Sequence, residues 1–489
     1  MSTFSIPRSA FSVSLAALAL LPFLTACKVG PDYEKPELAT PGAWSESASK
    51  PADDPALQRW WHGLGDARLA SLVDRALAAN LDVATAATRV RQARGQTGIA
   101  DASLMPSASA GASYKRAHAP GDNDHLDSHS GSYQAGLDAV WELDFFGGNR
   151  RAIEAAEASA DAAVEDLRGA RRTVAAEVAL EYAAWVTASA QARVQRADLE
   201  AAEALLKLVR VRRDAGSASD LDVTNALAEV AAARSTLPAY ETETTRAVNA
   251  LALLLAVAPQ DMRKELAEAP AALPGSLVAE VPAGLPSDLL RRRPDIRAAE
   301  RRLHAATAAI GAAVADYFPR FSLTGNVGIS GTSIGSNAPS PGVGWSVGPT
   351  ATWNPFQGGA VSANVKVREA LRDESTLAYR KAVLTALGEV ENALVSGDRE
   401  AARRAALRDT LAARGKAADM TAKLFENGQA DLATLLDARR RLNGAQSALA
   451  AADNTVFARR VALYKALGGG WSEADPVPET ADAPKPRGA

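Results

Sequence analysis

Chemistry could reside at three places in this 489-residue chain. The first is Cys27, the single cysteine, which excludes an intramolecular disulfide and a multi-cysteine metal set. Placed directly after a cleavable leader, it is a thiol available for acylation. The second is a cluster of imidazoles and carboxylates, His118, His125 and His129 among Asp122, Asp124 and Asp127. These types can ligate a metal, but residues 116–131 form a polar, turn-rich stretch without the supporting shell that such a site needs, so no metal is assigned. The third is a set of aspartates beyond two glycine turns. Asp220 and Asp431 follow Gly216 and Gly428 at places suited to helix caps, and Asp437 can pair with Arg440 or Arg441 at helical spacing. No glycine-rich phosphate loop and no serine, histidine and acid arrangement stands out, so the chain reads as a non-enzyme without a bound cofactor.

The elements around these residues begin with residues 1–26, read as a signal peptide: Arg8, an apolar run from Ala10 to Leu24, then Leu24-Thr25-Ala26-Cys27. Leu-x-Ala-Cys resembles the bacterial lipobox, whose cysteine becomes the acylated first residue of the mature protein. Diacylglycerol on the sulfur and an N-acyl chain on Cys27 would make a stable anchor, each buried methylene contributing ~0.8 kcal/mol. The alternative is ordinary secretion with cleavage near Ala26. Lys28, where an aspartate would resemble the inner-membrane retention signal, directs the expectation to the outer membrane. No stretch after Cys27 holds the ~18 consecutive apolar residues of a membrane helix, so any span must be made of strands.

Hydrophobic residues make up 47% of the chain and aromatics only 5%, which favours long packed helices rich in alanine, leucine and valine. A net charge of −3 gives no reason to expect a nucleic-acid partner, and basic runs such as Arg291-Arg292-Arg293 are balanced locally by Asp288 and Asp295. Leu435, Leu442, Leu449, Val456 and Leu463 recur every seven residues, with Ala438, Ala445 and Ala452 three places later, a seam for close helix packing. An offset of 212 residues carries Gly428 to Gly216, Leu435 to Val223, Leu449 to Leu237 and Trp353 to Trp141, and Pro319 lies 213 after Pro106. The chain is therefore an internal duplication.

In each half, alternating strands lead into a long helix and a glycine turn. Residues 133–145 place Tyr133, Leu137, Trp141 and Phe145 on one face and Gln134, Asp138, Glu142 and Asp144 on the other. Acids in succession suit a watery lumen better than a shared core. Four strands cannot close a membrane barrel, so the chain must oligomerise, and a trimer would supply twelve. Helices over 149–215 and 360–427 would be roughly 100 Å long at ~1.5 Å per residue, with Pro238 expected to kink the first return helix. The expected organisation is signal peptide 1–26; extended lipid-anchored segment 27–65; first repeat 66–258 with a β-hairpin at about 103–145 and a helical hairpin at 149–258; linker 259–286; second repeat 287–470 with a β-hairpin at about 318–355 and a helical hairpin at 360–468; and a disordered tail 471–489.

LTACKVGPDYEKP near the start, WELDFFGGNRR, LPSDLLRRRPDIRAAERRLHAATAAIGAAVADYFPRFSLTG, the Gly428 turn with LLDARR, and LYKALGGGW near the end together resemble the outer-membrane factors of tripartite efflux systems. These are the TolC-like channels, in the lipoprotein branch related to OprM and NodT. The resemblance implies a mainly α fold with a small β part: a homotrimer whose shared 12-stranded outer-membrane barrel continues into a long α-helical periplasmic coiled-coil barrel. It also implies a periplasmic adaptor at the hairpin tips, marked here by Gly216, Asp220, Gly428 and Asp431, and an inner-membrane pump, often of the resistance-nodulation-division class. In the family, acidic residues near the second tip line the periplasmic constriction. The matching position is Asp437, three copies of which would form a carboxylate ring, while Ala433 occupies a position that often carries a larger apolar side chain.

The expected function is thus a passive duct of a Gram-negative outer membrane that exports small molecules such as drugs. A type I protein secretion duct and a non-conducting periplasm-spanning tether are the alternatives. The tether leaves Gln134, Asp138, Glu142 and Asp144 without a purpose.

Overall fold

A computed structural model describes residues 28–45, 54–119, 128–273, 284–334 and 342–477. In chain order the elements are α1 (Asp54–Gln58), α2 (Ala67–Ala79), α3 (Leu81–Asp101), β1 (Ser107–Ala119), β2 (Ser128–Leu143), α4 (Gly148–Asp214), α5 (Asp220–Leu254), α6 (Pro259–Glu265), α7 (Leu289–Arg292), α8 (Pro294–Ala315), β3 (Arg320–Ile334), β4 (Gly342–Thr352), α9 (Ala360–Glu426) and α10 (Leu432–Ala466). The strands form one antiparallel sheet in the order β1-β2-β3-β4. None of the described helices is long and apolar enough to cross a membrane.

Helices α4 and α9 are both 67 residues long and α5 and α10 both 35. Each member of a pair starts 212 residues after its counterpart, as the duplication requires. No proline interrupts α4 or α9, and alanine dominates their buried faces, so neighbouring backbones approach closely. The heptad seam of α10 is half covered in the single chain: Leu435, Ala445, Ala452 and Val456 are buried, whereas Ala438, Leu442, Leu449 and Leu463 are only partly so. Asn80 makes the break between α2 and α3, its side chain accepting from the N–H groups of Asp82 and Val83 at 2.8 and 3.1 Å and donating to the Leu254 carbonyl at 2.9 Å. Pro238 lies inside α5, which continues without a break from Asp220 to Leu254.

Three apolar clusters hold the helices. The largest gathers Trp60, Trp61, Tyr182, Trp185 and Phe457. The next packs Trp44 with Ile296 and Tyr379, and the third joins the far ends of both helical hairpins. Arg293 is buried beside the second cluster. It donates to Asp295 at 2.5 Å, Glu389 at 2.7 Å and the Ala466 carbonyl at 3.0 Å, tying α8, α9 and the end of α10 together.

The segments without periodicity differ from expectation. Residues 27–65 are not simply an extended surface segment: Trp44 is buried with its indole N–H on the Gly284 carbonyl at 2.9 Å, and Trp60, Trp61 and Leu64 enter the main core from a 3-10 turn. Burial of three indoles supplies the docking energy. The linker 259–286 opens with helix α6, started by Pro259 and held by the buried Met262. Of the tail, residues 471–477 are packed: the Trp471 indole donates to the Arg292 carbonyl at 3.0 Å and its ring lies against the guanidinium groups of Arg168 and Arg297, and Asp475 meets Arg171 at 3.1 Å. Residues 478–489 lie outside the described residues.

Candidate functional site

Registers across the sheet place every residue on one of two faces. One row reads Ala110, Leu137, Val327, Trp345, and a row on the opposite face reads Ser109, Asp138, Asn326, Ser346. Alternation in the sequence is thus realised in one register over all the strands, with an apolar, largely exposed face and a polar one. The next row on the polar face is glycine throughout: Gly111, Gly136, Gly328 and Gly344. At that level no side chain projects. The indoles of Trp141 and Trp353 close the helix-proximal end of the apolar face in equivalent ways, donating to the carbonyls of Leu104 and Tyr317 at 2.9 and 3.1 Å. Sheet and helices join at Gly147 and Gly359, whose left-handed φ of 77° and 86° turns each strand into its long helix.

At the other end, Gly216 and Gly428 turn the helical hairpins with φ of 77° and 74°. Each makes the paired Schellman bonds, Ser217 N–H to Arg212 O and Gly216 N–H to Arg213 O at 2.8 and 2.9 Å, repeated at Gln429 and Gly428 at 2.8 and 3.1 Å. Asp431 caps α10 as expected, accepting from the Thr434 N–H at 2.8 Å, and hydrogen bonds from the Thr434 side chain and N–H lower its pKa. Asp220 does not cap α5. Ser219 does, in a reciprocal box with Asp222, while Asp220 occupies the first helical position with Arg213 at 3.4 Å. Two adjacent residues, Ser219 and Asp220, could each cap, and Asp222 three places after Ser219 decides between them.

The two tips pack side by side. Leu205, Leu206 and Val209 of the first hairpin meet Leu432, Leu435 and Leu436 of the second, and Arg440 reaches Glu229 at 3.3 Å. Asp437 is exposed, with Arg441 Nε at 2.7 Å on the next turn, and Ala433 is exposed one turn before it.

One site escaped sequence reading. The segment after Cys27 is clamped where the sheet meets the helices: Val29 N–H donates to the Phe146 carbonyl at 3.2 Å, and the buried Arg151 donates to Val29 O at 3.1 Å and Asp32 at 2.6 Å. Glu154 accepts from Lys28 at 3.0 Å and Arg151 at 3.0 Å and lies 3.1 Å from His304, whose ring stacks on Tyr33. Burial alone would raise the Glu154 pKa, but the bonds from Lys28, His304 and Arg151 outweigh it and hold it at about 2. Gly30, at φ 87°, lies so close to Gly311 that a Cβ on it would be 2.4 Å from the Gly311 Cα. The signal in the sequence was the string Lys28-Val29-Gly30-Pro31-Asp32-Tyr33, whose partners lie more than a hundred residues away. Cys27 itself, His125, Asp122, Asp124 and Asp127, and the side chains of His118 and His129, lie outside the described residues.

Comparison with known proteins interprets this geometry. The family described as "Outer membrane efflux protein" matches residues 72–257 and 285–469, one segment per repeat. The chain belongs to that family. Outer membrane protein OprJ of Pseudomonas aeruginosa is 34% identical over 471 residues, covering 95% of this chain and 97% of OprJ. The pyoverdine export outer membrane protein OpmQ of the same species is 34% identical over 481 residues, covering 94% and 97%. The solved structure of the outer-membrane channel OprN superposes with a TM-score of 0.81 at 35% identity, covering 91% of this chain and all of that one. As a member of the family, the protein is an outer-membrane efflux channel, a transport protein with a strand-built wall and long helices extending from it.

Proposed function

We propose that three copies of this chain close into one passive duct that exports small molecules, delivered by an inner-membrane pump of the resistance-nodulation-division class through a periplasmic adaptor. The observation that carries this reading is the single register of the sheet, with an apolar face for lipid, a polar face for water and both outer edges open. Edges unpaired in hydrocarbon would leave backbone groups costing several kcal/mol each, so the sheet must be completed by others of its kind. Three sheets give a twelve-stranded barrel. The chain performs no catalysis in this reading and binds no cofactor, since the pump supplies the energy.

Cys27 carries the lipid, and clamping of Val29 at the base of the sheet would hold those acyl chains at the periplasmic boundary of the membrane. The tips at Gly216, Asp220, Gly428 and Asp431 are the surface that the adaptor takes. Asp437 from three copies forms the carboxylate ring of the periplasmic gate, with Ala433 one turn away and too small to add an apolar constriction. The role of OpmQ in pyoverdine export supports a small organic cargo.

Single-channel conductance in planar bilayers, with chemical crosslinking of the same preparation to count subunits, tests the reading. Small cation-preferring steps from a trimer are expected. A trimer that stays silent even with Asp437→Ala would refute conduction.

A further inference from the structure

We propose that the cavity where the sheet meets the long helices is a resting site for small zwitterionic cargo, with Glu142 taking an ammonium group and Arg368 a carboxylate. The proposal rests on the duct reading above and adds a binding place within the duct and the chemical class of its ligand.

The cavity, about 410 Å³, lies at the helix-proximal end of the sheet, between the ends of β2 and β3 and helices α4, α8 and α9. Cavities of that size hold small organic molecules. Its floor is apolar, made by Ala152 and Ala155 of α4 and Ala309 and Ala312 of α8. Three carboxylates, Glu142, Asp144 and Asp316, and two guanidinium groups, Arg320 and Arg368, surround that floor. Most of these charges are already engaged. Asp144 accepts from Arg150 Nε at 3.1 Å and from the backbone N–H groups of Arg150 and Asn149 at 2.9 and 3.3 Å, and Asp316 holds Arg320 at 2.7 Å. Glu142 and Arg368 remain: neither has a hydrogen bond or an ion pair among the described residues. Glu142 is partly buried on the polar face of β2 and Arg368 is exposed on α9, so strand and helix present opposite unpaired charges to one cavity. A ligand carrying both signs engages each of them through a charge-assisted hydrogen bond, the stronger kind.

The duplication shows that the fold requires neither charge. At the offset of 212 residues Glu142 corresponds to Asn354 and Arg368 to Ala156, so the other repeat builds the same strand-to-helix junction without them. Framework residues do recur there, Trp141 as Trp353 and Gly147 as Gly359. The pair is therefore an addition to the junction, present once per chain. A site inside a duct must also release what it binds, so an affinity of order millimolar suits it.

Cysteine protection tests the site without any current. In the full-length protein in membranes, Ala152→Cys, exposed in the cavity, is labelled with methyl methanethiosulfonate, and the parent chain controls for Cys27. The probe is ε-aminohexanoate, an ammonium and a carboxylate joined by a short apolar chain; hexylamine and hexanoate each keep one of the two charges. Labelling should be slowed most by ε-aminohexanoate. Glu142→Gln should raise its half-protecting concentration about fivefold, as loss of a partly exposed ion pair does, and abolish protection by hexylamine but not by hexanoate. Arg368→Gln should do the converse. Asp138→Asn, on the same face but outside the cavity, should change nothing. Equal labelling with and without ε-aminohexanoate overturns the proposal. So does an Asp138→Asn effect as large as that of Glu142→Gln, which would reveal only the general field of the lumen. The duct reading is tested apart: a conducting trimer without protection removes the site alone, whereas protection in a preparation that never conducts keeps the binding site and removes the duct around it.

Discussion

Gly136 and Gly328 face each other across the seam between the repeats so closely that neither has room for a side chain. A Cβ on Gly136 would lie 2.9 Å from the Val327 carbonyl and 3.2 Å from the Gly328 Cα, and one on Gly328 would meet Ala135 O and the Gly136 Cα at the same distances. Flat pairing keeps opposite Cβ atoms at about 4.5–5.5 Å, so the sheet is creased toward its polar face here. Gly111 and Gly344, in the same row, have nothing within 4 Å of an added Cβ. Curving a sheet into a barrel needs such a crease. Gly136→Ala should therefore destabilise the folded barrel by about 1–3 kcal/mol through overpacking, while Gly111→Ala should be close to neutral. Thermal unfolding of the detergent-solubilised protein checks both, and equal effects would contradict the crease.

Periodic segments were legible in the sequence almost to the residue. Helices expected over 149–215 and 360–427 occur at Gly148–Asp214 and Ala360–Glu426, because left-handed glycines bound each end and no proline lies between, while interior glycines such as Gly169 and Gly388 are tolerated. Alternation likewise revealed the two faces from Tyr133 to Phe145. What stayed hidden was long-range: Trp44 on Gly284, Trp60 in the core, Trp471 on Arg292 and the Val29 clamp all join distant segments that have no period. Proline-rich composition suggested a free segment, but composition does not reveal where an indole finds its pocket. For Asp437 the sequence offered Arg440 or Arg441 as partners at helical spacing, and the structure pairs it with Arg441.

The Glu154 clamp has a defined pH window. Its pKa falls from 4.5 in the ordinary state to about 2 when folded, so its contribution is complete above about 4.5 and is lost as pH falls through 2. The Glu154 carboxylate should therefore contribute equally to docking of residues 28–35 at pH 7 and pH 5. Glu154→Gln should loosen the segment at pH 7, leaving Lys28 without its carboxylate partner and Arg151 with Asp32 as its one remaining ion-pair partner among the described residues. Hydrogen exchange of residues 28–35 is the measurement. Protection in the variant equal to that of the parent would show that Glu154 does not hold the clamp.

Arg293 predicts a stability effect away from both the sheet and the hairpin tips. Its guanidinium is buried among Asp295, Glu389 and the Ala466 carbonyl, and Asp295 also accepts from Arg172 at 3.3 Å. Removing the guanidinium leaves Asp295 with Arg172 and the half-exposed Glu389 with solvent, so the loss stays below the about 3–5 kcal/mol of a fully buried pair and includes the lost packing and the bond to the Ala466 carbonyl. Arg293→Ala should lower the unfolding temperature well below that of Arg291→Ala, whose side chain is exposed and pairs only with Asp288 at the surface. Similar unfolding temperatures for the two variants would remove Arg293 from the framework.

At the tips, stability and conduction can be separated. Asp437 and Arg441 are both half exposed, and an exposed pair four residues apart on a helix contributes only about 0.3–0.5 kcal/mol. Asp437→Ala should therefore leave the unfolding temperature nearly unchanged. In the gate reading it should raise closed-state conductance and reduce cation preference, because three carboxylates leave the constriction. Arg441→Ala frees the carboxylate from its partner, so cation preference should increase. A purely structural pair predicts something else: the two substitutions would act alike, loosening the same helix turn and raising leak to the same extent. Current–voltage curves in asymmetric salt distinguish these cases, since the gate reading requires the reversal potential to move in opposite directions for the two variants.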